Sequence, residues 1–356
     1  MALVTAPPEQ EDWIAGVRER IAGVLSELNL RGAEHAGPAT SCISSKVKVV
    51  YTAGAGRHVL AREDIAAGEE IVSEAPAVAF LHHAARATNC HHCCRAVLAA
   101  APCPRCSCVM FCGEECRRAA ERYHGTECGH MHLVPGLGTL APVLRLATSR
   151  TAEFFMERAG YFDHYDKTSE KTVSEYQDDF DALFNLEAGN KSDSQYNILK
   201  AANAYYLLCL LKKMKYFTNN DPSTLHEEHL TVARFLDHFL RVADSNCHEV
   251  CELDTPATTA GKTFDELFDS EDSAVAVVGV AIYPTMSLFN NSCDVNTLKY
   301  HAGTTETMLA RRNIRAGEEI ADFYGEYYFQ NTRLTRKKNL GMYVLAILPS
   351  KFFHRH

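Results

Sequence analysis

Eight residues of zinc-ligand type lie between Cys90 and Cys128, spaced Cys90-x2-Cys93, Cys103-x2-Cys106, Cys112-x3-Cys116 and His124-x3-Cys128. Zn²⁺ takes four N or S ligands in a tetrahedron, and a two-residue gap lets two thiolates turn back onto one ion. Eight ligands make two such sites. Nine of the fourteen cysteines fall in this stretch. So short a segment cannot bury a sizeable core, so metal is expected to hold it together. It also marks a place where one domain interrupts another. Cys94, Cys108, His91 and His92 are surplus, and one of them could replace an assigned ligand.

A disulfide framework is the competing reading, and it requires an oxidising compartment. The stretch from Met1 to Trp13 has no basic n-region and no apolar h-region, so no secretory signal is expected there. No apolar run reaches the length needed to cross a bilayer. A reducing, intracellular setting with zinc is therefore expected. Cytoplasm and nucleus stay open alike, because no basic targeting cluster stands out. The net charge of −9 and pI near 6.0 argue against nucleic-acid binding. Arg117, Arg118 and Arg122 read as a solvated helix face. The 356 residues, 46% hydrophobic and 23% charged, allow two or three soluble globular domains.

Residues 11–30 carry Ile14, Val17, Ile21, Val24 and Leu28 at steps of three and four, an amphipathic helix expected to pack on the main body. Residues 31–40 read as a linker. Strands are expected at Lys46 to Tyr51 and His58 to Ala61, with a glycine turn at Gly54-Ala55-Gly56, and Ile65 to Val72 as a turn into a third strand. Residues 140–250 are mostly helical in pattern, with Tyr205, Leu208, Leu211 and Met214 on one face. Strand character returns from Ala274 to Tyr328. Asp64 to Ile71 is echoed by Asn313 to Ile320, a repeated local turn in one all-β domain rather than a solenoid repeat.

Three separated segments carry polar chemistry. Gly54-Ala55-Gly56-Arg57-His58 allows close backbone approach to a ligand, although a plain hairpin turn has the same look. Asn290-Asn291-Ser292-Cys293-Asp294-Val295-Asn296 offers side chains that bond a ligand or cap a turn. Gly317 to Tyr328 is rich in tyrosine, which forms either core or the wall of a narrow polar channel.

These segments, in this order and with the eight ligands, resemble the SET-and-MYND (SMYD) family of protein-lysine methyltransferases over roughly residues 46–343. The ligand spacing is similar to the MYND finger. Asn290 to Asn296 resembles the family's Asn-His-Ser-Cys-x-Pro-Asn motif, and Glu318 to Tyr324 its Gly-Glu-Glu-Leu…Tyr segment. The resemblance implies an α+β architecture: a split all-β SET domain with an inserted zinc-bound MYND finger and a helical insert. Its pieces would be an N-terminal helix and linker at 1–40, SET at 41–84, finger at 90–128, helical insert at 135–250, SET again at 251–330, and a post-SET tail at 331–356.

The resemblance also implies roles. Ala53, Gly54, Ala55 and Gly56 would face S-adenosylmethionine through the backbone. Asn246, Asn290 and Asn291 would contact the same cofactor. Tyr324 would be the catalytic tyrosine, itself beside the cofactor, and Tyr343 would line the lysine channel and reach the cofactor. Two zinc ions would sit in the finger. The substrate would be a protein lysine, and the finger would dock proline-rich peptides, with no membrane or direct nucleic-acid partner. Three departures stand out. Asn291 replaces histidine, Val295 replaces proline, and no cysteine follows Cys293, so a third, post-SET zinc is expected to be absent and the tail to be a truncated or alternative end. A catalytically weak adaptor built on the finger is the alternative function.

Overall fold

The computed structural model describes residues 42–171, 175–176, 178–189, 193–253, 275–292 and 294–324. The amphipathic segment 11–30, Cys293, Tyr343 and the tail lie outside the described residues.

Strands β1 (Cys42–Ile43), β2 (Val47–Thr52), β3 (Gly56–Ala61), β4 (Glu70–Glu74) and β5 (Val78–Leu81) precede the cysteine-rich segment. β8 (Cys247–Leu253), β9 (Val275–Ile282), β10 (Thr297–Ala302), β11 (Thr305–Ala310) and β12 (Glu319–Ile320) follow the helices. The two groups share their sheets, in the orders β1-β4-β11-β10, β12-β3-β2 and β5-β9-β8. The β domain is therefore split, as the sequence pattern implies. In β2, buried Val47 and Val49 flank exposed Lys48, the alternation of a half-buried strand. The β2–β3 hairpin turns at Gly54 and Gly56, with φ of 89° and 73°, values that L side chains rarely adopt.

The two similar turns face each other. Ile65 and Ile314 exchange backbone hydrogen bonds, each of 2.9 Å. Ala67 donates its N–H to Asn313 Oδ1 at 2.9 Å, and Ala316 donates to Asp64 Oδ1 at 2.8 Å. In each turn a glutamate, Glu69 or Glu318, accepts the N–H three residues before it at 3.1 Å. Repeated sequence here means repeated local bonding, with each turn closing the other.

The interruption holds a short hairpin of β6 (Ala101–Pro102) and β7 (Met110–Phe111), then α1 (Glu114–Glu127). The helical part follows with α2 (Ala141–Thr148), α3 (Ala152–Glu157), α4 (Asp179–Phe184), α5 (Ser194–Lys213) and α6 (Glu227–Asn246). Its core is aromatic: Phe155, Phe180, Phe184, Phe235 and Phe239 are all buried, and the Phe155–Phe235 centroids are 5.2 Å apart. Edge-to-face pairs such as Phe180–Phe239, at 5.3 Å, add to area burial. Among the described residues, no helix is long and apolar enough to cross a membrane.

Two expectations are corrected. The helical pattern read as running to residue 250 stops at Asn246, and Cys247–Leu253 is a strand paired with β9. There is no glycine or proline at this helix–strand junction to signal it. Tyr205 does not join the buried stripe, since it is 59% exposed whereas Leu208, Leu211 and Met214 are buried. The buried face of α5 runs through Ala204 and Leu207 instead.

Candidate active site and metal centres

The eight ligands converge in two groups: Cys90, Cys93, Cys112 and Cys116, and Cys103, Cys106, His124 and Cys128. The first pair in sequence thus joins the third, and the second joins the fourth. Spacing alone left this interleaving open. In the first group Sγ of Cys93 and Cys112 are 3.7 Å apart, and those of Cys112 and Cys116 3.4 Å. In the second, Cys103 and Cys128 Sγ are 4.0 Å apart, and Cys106 Sγ lies 3.6 Å from His124 Nε2. A tetrahedral Zn²⁺ with bonds of about 2.3 Å to sulfur sets its ligands about 3.8 Å apart. The donor sets and spacings fit a metal ion in each group.

The four surplus residues have other places. His92 Nδ1 is 3.0 Å from the Tyr123 hydroxyl. Cys94 is buried, and its thiol is pushed up to about 12 by burial. Cys108 contacts the Cys106 carbonyl. His91 comes close to His124 and Glu127, a third constellation of ligand type. A resident cation already occupies that constellation. Arg145 donates to both carboxylate oxygens of Glu127 at 2.7 and 2.9 Å and lies 3.0 Å from His91 Nε2. Thr148 adds a bond to Glu127, and the guanidinium packs over the Tyr123 ring at 4.0 Å. Burial pushes His91 down to about 4, with Arg145 adding to it. Burial pushes Glu127 up, but Arg145 and His91 outweigh it and hold the carboxyl at about 2.

His91 follows ligand Cys90 and Glu127 precedes ligand Cys128, so one arginine of α2 touches both ligand groups' neighbours. Glu252 of β8 makes a second link, accepting from Asn89 and from the Ala96 N–H. Neither link was foreseen. The available signal was a lone arginine inside the apolar run Ala141 to Ala147.

The SET-like motifs meet as a short crossing. Asn291 pairs with Asp322 in a parallel bridge. Asp322 donates to the Asn290 carbonyl at 2.8 Å and accepts from the Ser292 N–H at 2.9 Å. The Asn291 side-chain oxygen accepts the Tyr324 N–H at 2.9 Å, and the Tyr324 hydroxyl donates to the Phe289 carbonyl at 2.6 Å. Burial and the Asp322 charge raise the Tyr324 phenol, so it is a neutral hydroxyl at physiological pH. Asn290 donates to Glu319, and Asn296 bonds the backbone of Glu319 in β12 and of Ala321 just after it.

Charged groups buried around the crossing fix it in place. Lys299 Nζ lies 2.8 Å from Asp322 and 3.3 Å from Glu306. His248 and His301 approach Glu306 at 3.2 and 3.7 Å. Glu74 of β4 accepts the N–H groups of Thr285 and Met286, which open the turn leading to Phe289. Burial raises the Glu74 carboxyl to about 8.

The glycine turn reaches this region through β3. Ile320 pairs with Val59, so the chain after β12 runs toward the Gly56 end of β3 as it enters Asp322 to Tyr324. A side chain added at Gly54 or Gly56 would meet no atom within 4 Å, so the backbone of the turn is open on that side. Asn246 stands apart from Asn290 and Asn291. Its amide donates to the carbonyls of Val242 and Glu187 at the end of α6. The structure thus unites Asn290, Asn291 and Tyr324, brings Ala53 to Gly56 toward them, and leaves Asn246 on the helical side.

The model of the SET domain matches residues 56–325. Protein-lysine N-methyltransferase SMYD4 of Gallus gallus is 26% identical over 352 residues, covering 80% of this chain and 46% of that protein. SMYD4 of Mus musculus is 26% identical over 340 residues, covering 76% and 41%. N-lysine methyltransferase SMYD2 of Gallus gallus is 24% identical over 271 residues, covering 76% and 52%. The chain spans about half the length of these curated relatives. With most of its length matched by one family model and its motifs crossing as described, the chain belongs to the SET-domain family, alongside relatives named as SMYD protein-lysine methyltransferases.

Proposed function

We propose that this chain is an S-adenosylmethionine-dependent protein-lysine N-methyltransferase. The observation that carries the proposal is the Tyr324 hydroxyl, neutral and fixed on the Phe289 carbonyl, where the Asn290–Ser292 and Asp322–Tyr324 segments cross. S-adenosylmethionine would supply an electrophilic methyl group. Ala53 to Gly56 would offer it open backbone and Asn290 and Asn291 would contact it, with Tyr343 completing the lysine channel; Asn246, bonded at the end of α6, is left out of this contact set.

Methyl transfer to an amine is an in-line displacement that depends on alignment. Lysine must enter neutral, and a buried channel disfavours its charged form. Tyrosine faces hold a methylammonium by cation–π attraction. Tyr324, kept protonated by burial and with its one hydrogen on the Phe289 carbonyl, would turn its oxygen lone pairs toward the reacting groups and orient them rather than act as a base. The Asn291 amide would support this role by accepting the Tyr324 N–H, a bond that asparagine makes without the ring of the histidine in the resembled motif.

The finger belongs to the same proposal as a MYND module. It would hold two zinc ions, one in each ligand group, and dock proline-rich peptides. Zinc takes no part in methyl transfer. No post-SET zinc is assigned, and the working compartment is the cytoplasm, the nucleus or both.

The test is calorimetric titration with S-adenosylmethionine, followed by a methyl-transfer assay on lysine peptides with Tyr324→Phe beside the unmodified chain. Micromolar binding retained by Tyr324→Phe, with transfer lost, supports the reading. Folded, zinc-loaded protein that binds no cofactor would leave the adaptor function. Transfer surviving Tyr324→Phe would remove Tyr324 from catalysis.

A further inference from the structure

Glu74 of β4 and Glu306 of β11 stand directly opposite each other in the antiparallel ladder, and each is 1% exposed. Like charges so placed repel, and a buried carboxylate without partners is costly. The pair coexists because the two carboxyls differ in state. Burial, with the Glu306 charge adding to it, raises Glu74 to about 8, so this side chain is neutral near pH 7. Burial raises Glu306 as well, but Lys299, His248 and His301 outweigh it and hold that carboxyl well below the usual carboxylate range. Neither glutamate belongs to a motif segment, yet their partners lead to one place. Glu74 accepts the N–H groups of Thr285 and Met286, each at 2.9 Å. These residues start the short turn Met286–Leu288, which the Phe289 N–H closes on the Met286 carbonyl at 3.2 Å. The Phe289 carbonyl then receives the Tyr324 hydroxyl. On the other side, Lys299 Nζ bridges Glu306 and Asp322. The other Asp322 oxygen accepts the Phe323 N–H at 2.6 Å, one residue before Tyr324. Glu74 thus leads to the acceptor of the tyrosine bond and Glu306 to its donor.

We infer that Glu74 and Glu306 act together as positioning residues for the Tyr324 hydroxyl, Glu74 through the Phe289 turn and Glu306 through Lys299 and Asp322. Their part in methyl transfer rests on the methyltransferase reading of Tyr324, and neither glutamate touches the reacting groups. The one hydrogen of the hydroxyl is committed to Phe289, so the place of that carbonyl aims the oxygen lone pairs. A displacement at either end of the bond turns them off line, and alignment governs the rate of an in-line displacement. Because β4 and β11 are paired in fixed register, the two ends keep one spacing.

The test uses the full chain with its tyrosines isotope-labelled at Cζ, the Tyr324 resonance being the one that Tyr324→Phe removes. Glu74→Leu and Glu306→Leu should each move that resonance toward its value in the urea-unfolded chain. Each should also lower kcat about tenfold or more, with KM for a lysine peptide changed by less than about twofold. Glu74→Gln keeps an oxygen for the Thr285 and Met286 N–H groups, and Glu306→Gln keeps one for Lys299, so both should recover most of the resonance position and of kcat. Should a leucine variant fail to fold, Glu74→Asp and Glu306→Asp, which draw the carboxyl back by one methylene, decide by the same two readouts. A lowered urea midpoint with resonance and kcat unchanged would overturn the inference and leave the pair a structural role. A change in KM rather than kcat would overturn it too, because the pair would then serve substrate binding. If the unmodified chain transfers no methyl group, the methyltransferase reading fails, and the resonance alone decides whether the pair positions the hydroxyl.

Discussion

Asp64 and Asn313 occupy equivalent places in two turns, and each closes the other's: Asp64 takes the Ala316 N–H and Asn313 takes that of Ala67. Between them Ile65 and Ile314 form one more pairing between the two halves of the split β domain, beside those of the shared sheets. Segments at opposite ends of the domain are thus stitched by a reciprocal pair of side-chain caps.

The caps are exposed hydrogen bonds, so each should contribute modestly. Asn313→Ala and Asp64→Ala should each cost about 1 kcal/mol, read from the urea midpoint at unchanged slope. Asp64→Asn should stay within about 0.5 kcal/mol, because an amide oxygen already does this work at the partner turn. Equal losses for Asp64→Asn and Asp64→Ala would mean that charge, not the bond, matters there.

Arg145 should be among the most sensitive positions in the chain. Its removal leaves the Glu127 carboxylate buried at 1% exposure without its bidentate partner. Breaking such a pair costs about 3–5 kcal/mol, whereas replacing both partners is often far milder. Arg145→Met should be strongly destabilising, and Arg145→Met with Glu127→Gln should recover part of the loss. Because the arginine joins finger and body, metal release and unfolding of the β core should share one midpoint in denaturant. Two separate midpoints would show that the finger is an independent unit.

These two relationships show what a sequence does and does not disclose. The ligand spacing disclosed the four ligand pairs, since local turns dictate which thiolates of a pair lie close. It could not reveal which pairs combine, because that depends on how β7 and α1 fold back over the first loop. The echo of Asp64 to Ile71 in Asn313 to Ile320 was visible, but its meaning as mutual pairing needed the fold. Asn291 and Tyr324 were legible as motif members. Their direct bond was not, and neither were Lys299, Glu306 and Glu74, which come from strands with no motif. Tyr205 was misplaced by one helical position, enough to move it from core to surface.

Interleaving makes the two metal groups depend on each other. Helix α1 carries Cys116 for one group and His124 for the other, with Cys128 just beyond its end. If each group holds one Zn²⁺ as proposed, Cys112→Ser should therefore lower bound zinc to below one ion per chain, since loss of one site loosens the helix that presents the other. Elemental analysis after dialysis measures this directly. Retention of one full equivalent would mean that α1 holds its place with a single metal.

Low pH should weaken the helical part through His238. Its ring is buried, with Nε2 bonded to the Phe184 carbonyl at 2.8 Å. Burial lowers it to about 4, against 6.5 for an ordinary histidine. The folded state thus favours the neutral ring. Its contribution is fully present above pH 6.5 and declines as pH falls toward 4, because the unfolded chain gains a proton that the folded chain refuses. Each pH unit in that window should remove about 1.4 kcal/mol. Between pH 6.5 and 5 the loss from this residue should be about 2 kcal/mol in urea unfolding. His238→Gln keeps a donor for the Phe184 carbonyl and has nothing to titrate, so it should be less stable at pH 7.5 but flatter across the same window. An unchanged pH slope in that variant would assign the acid sensitivity to other buried histidines, with His301 beside Glu306 the first to examine.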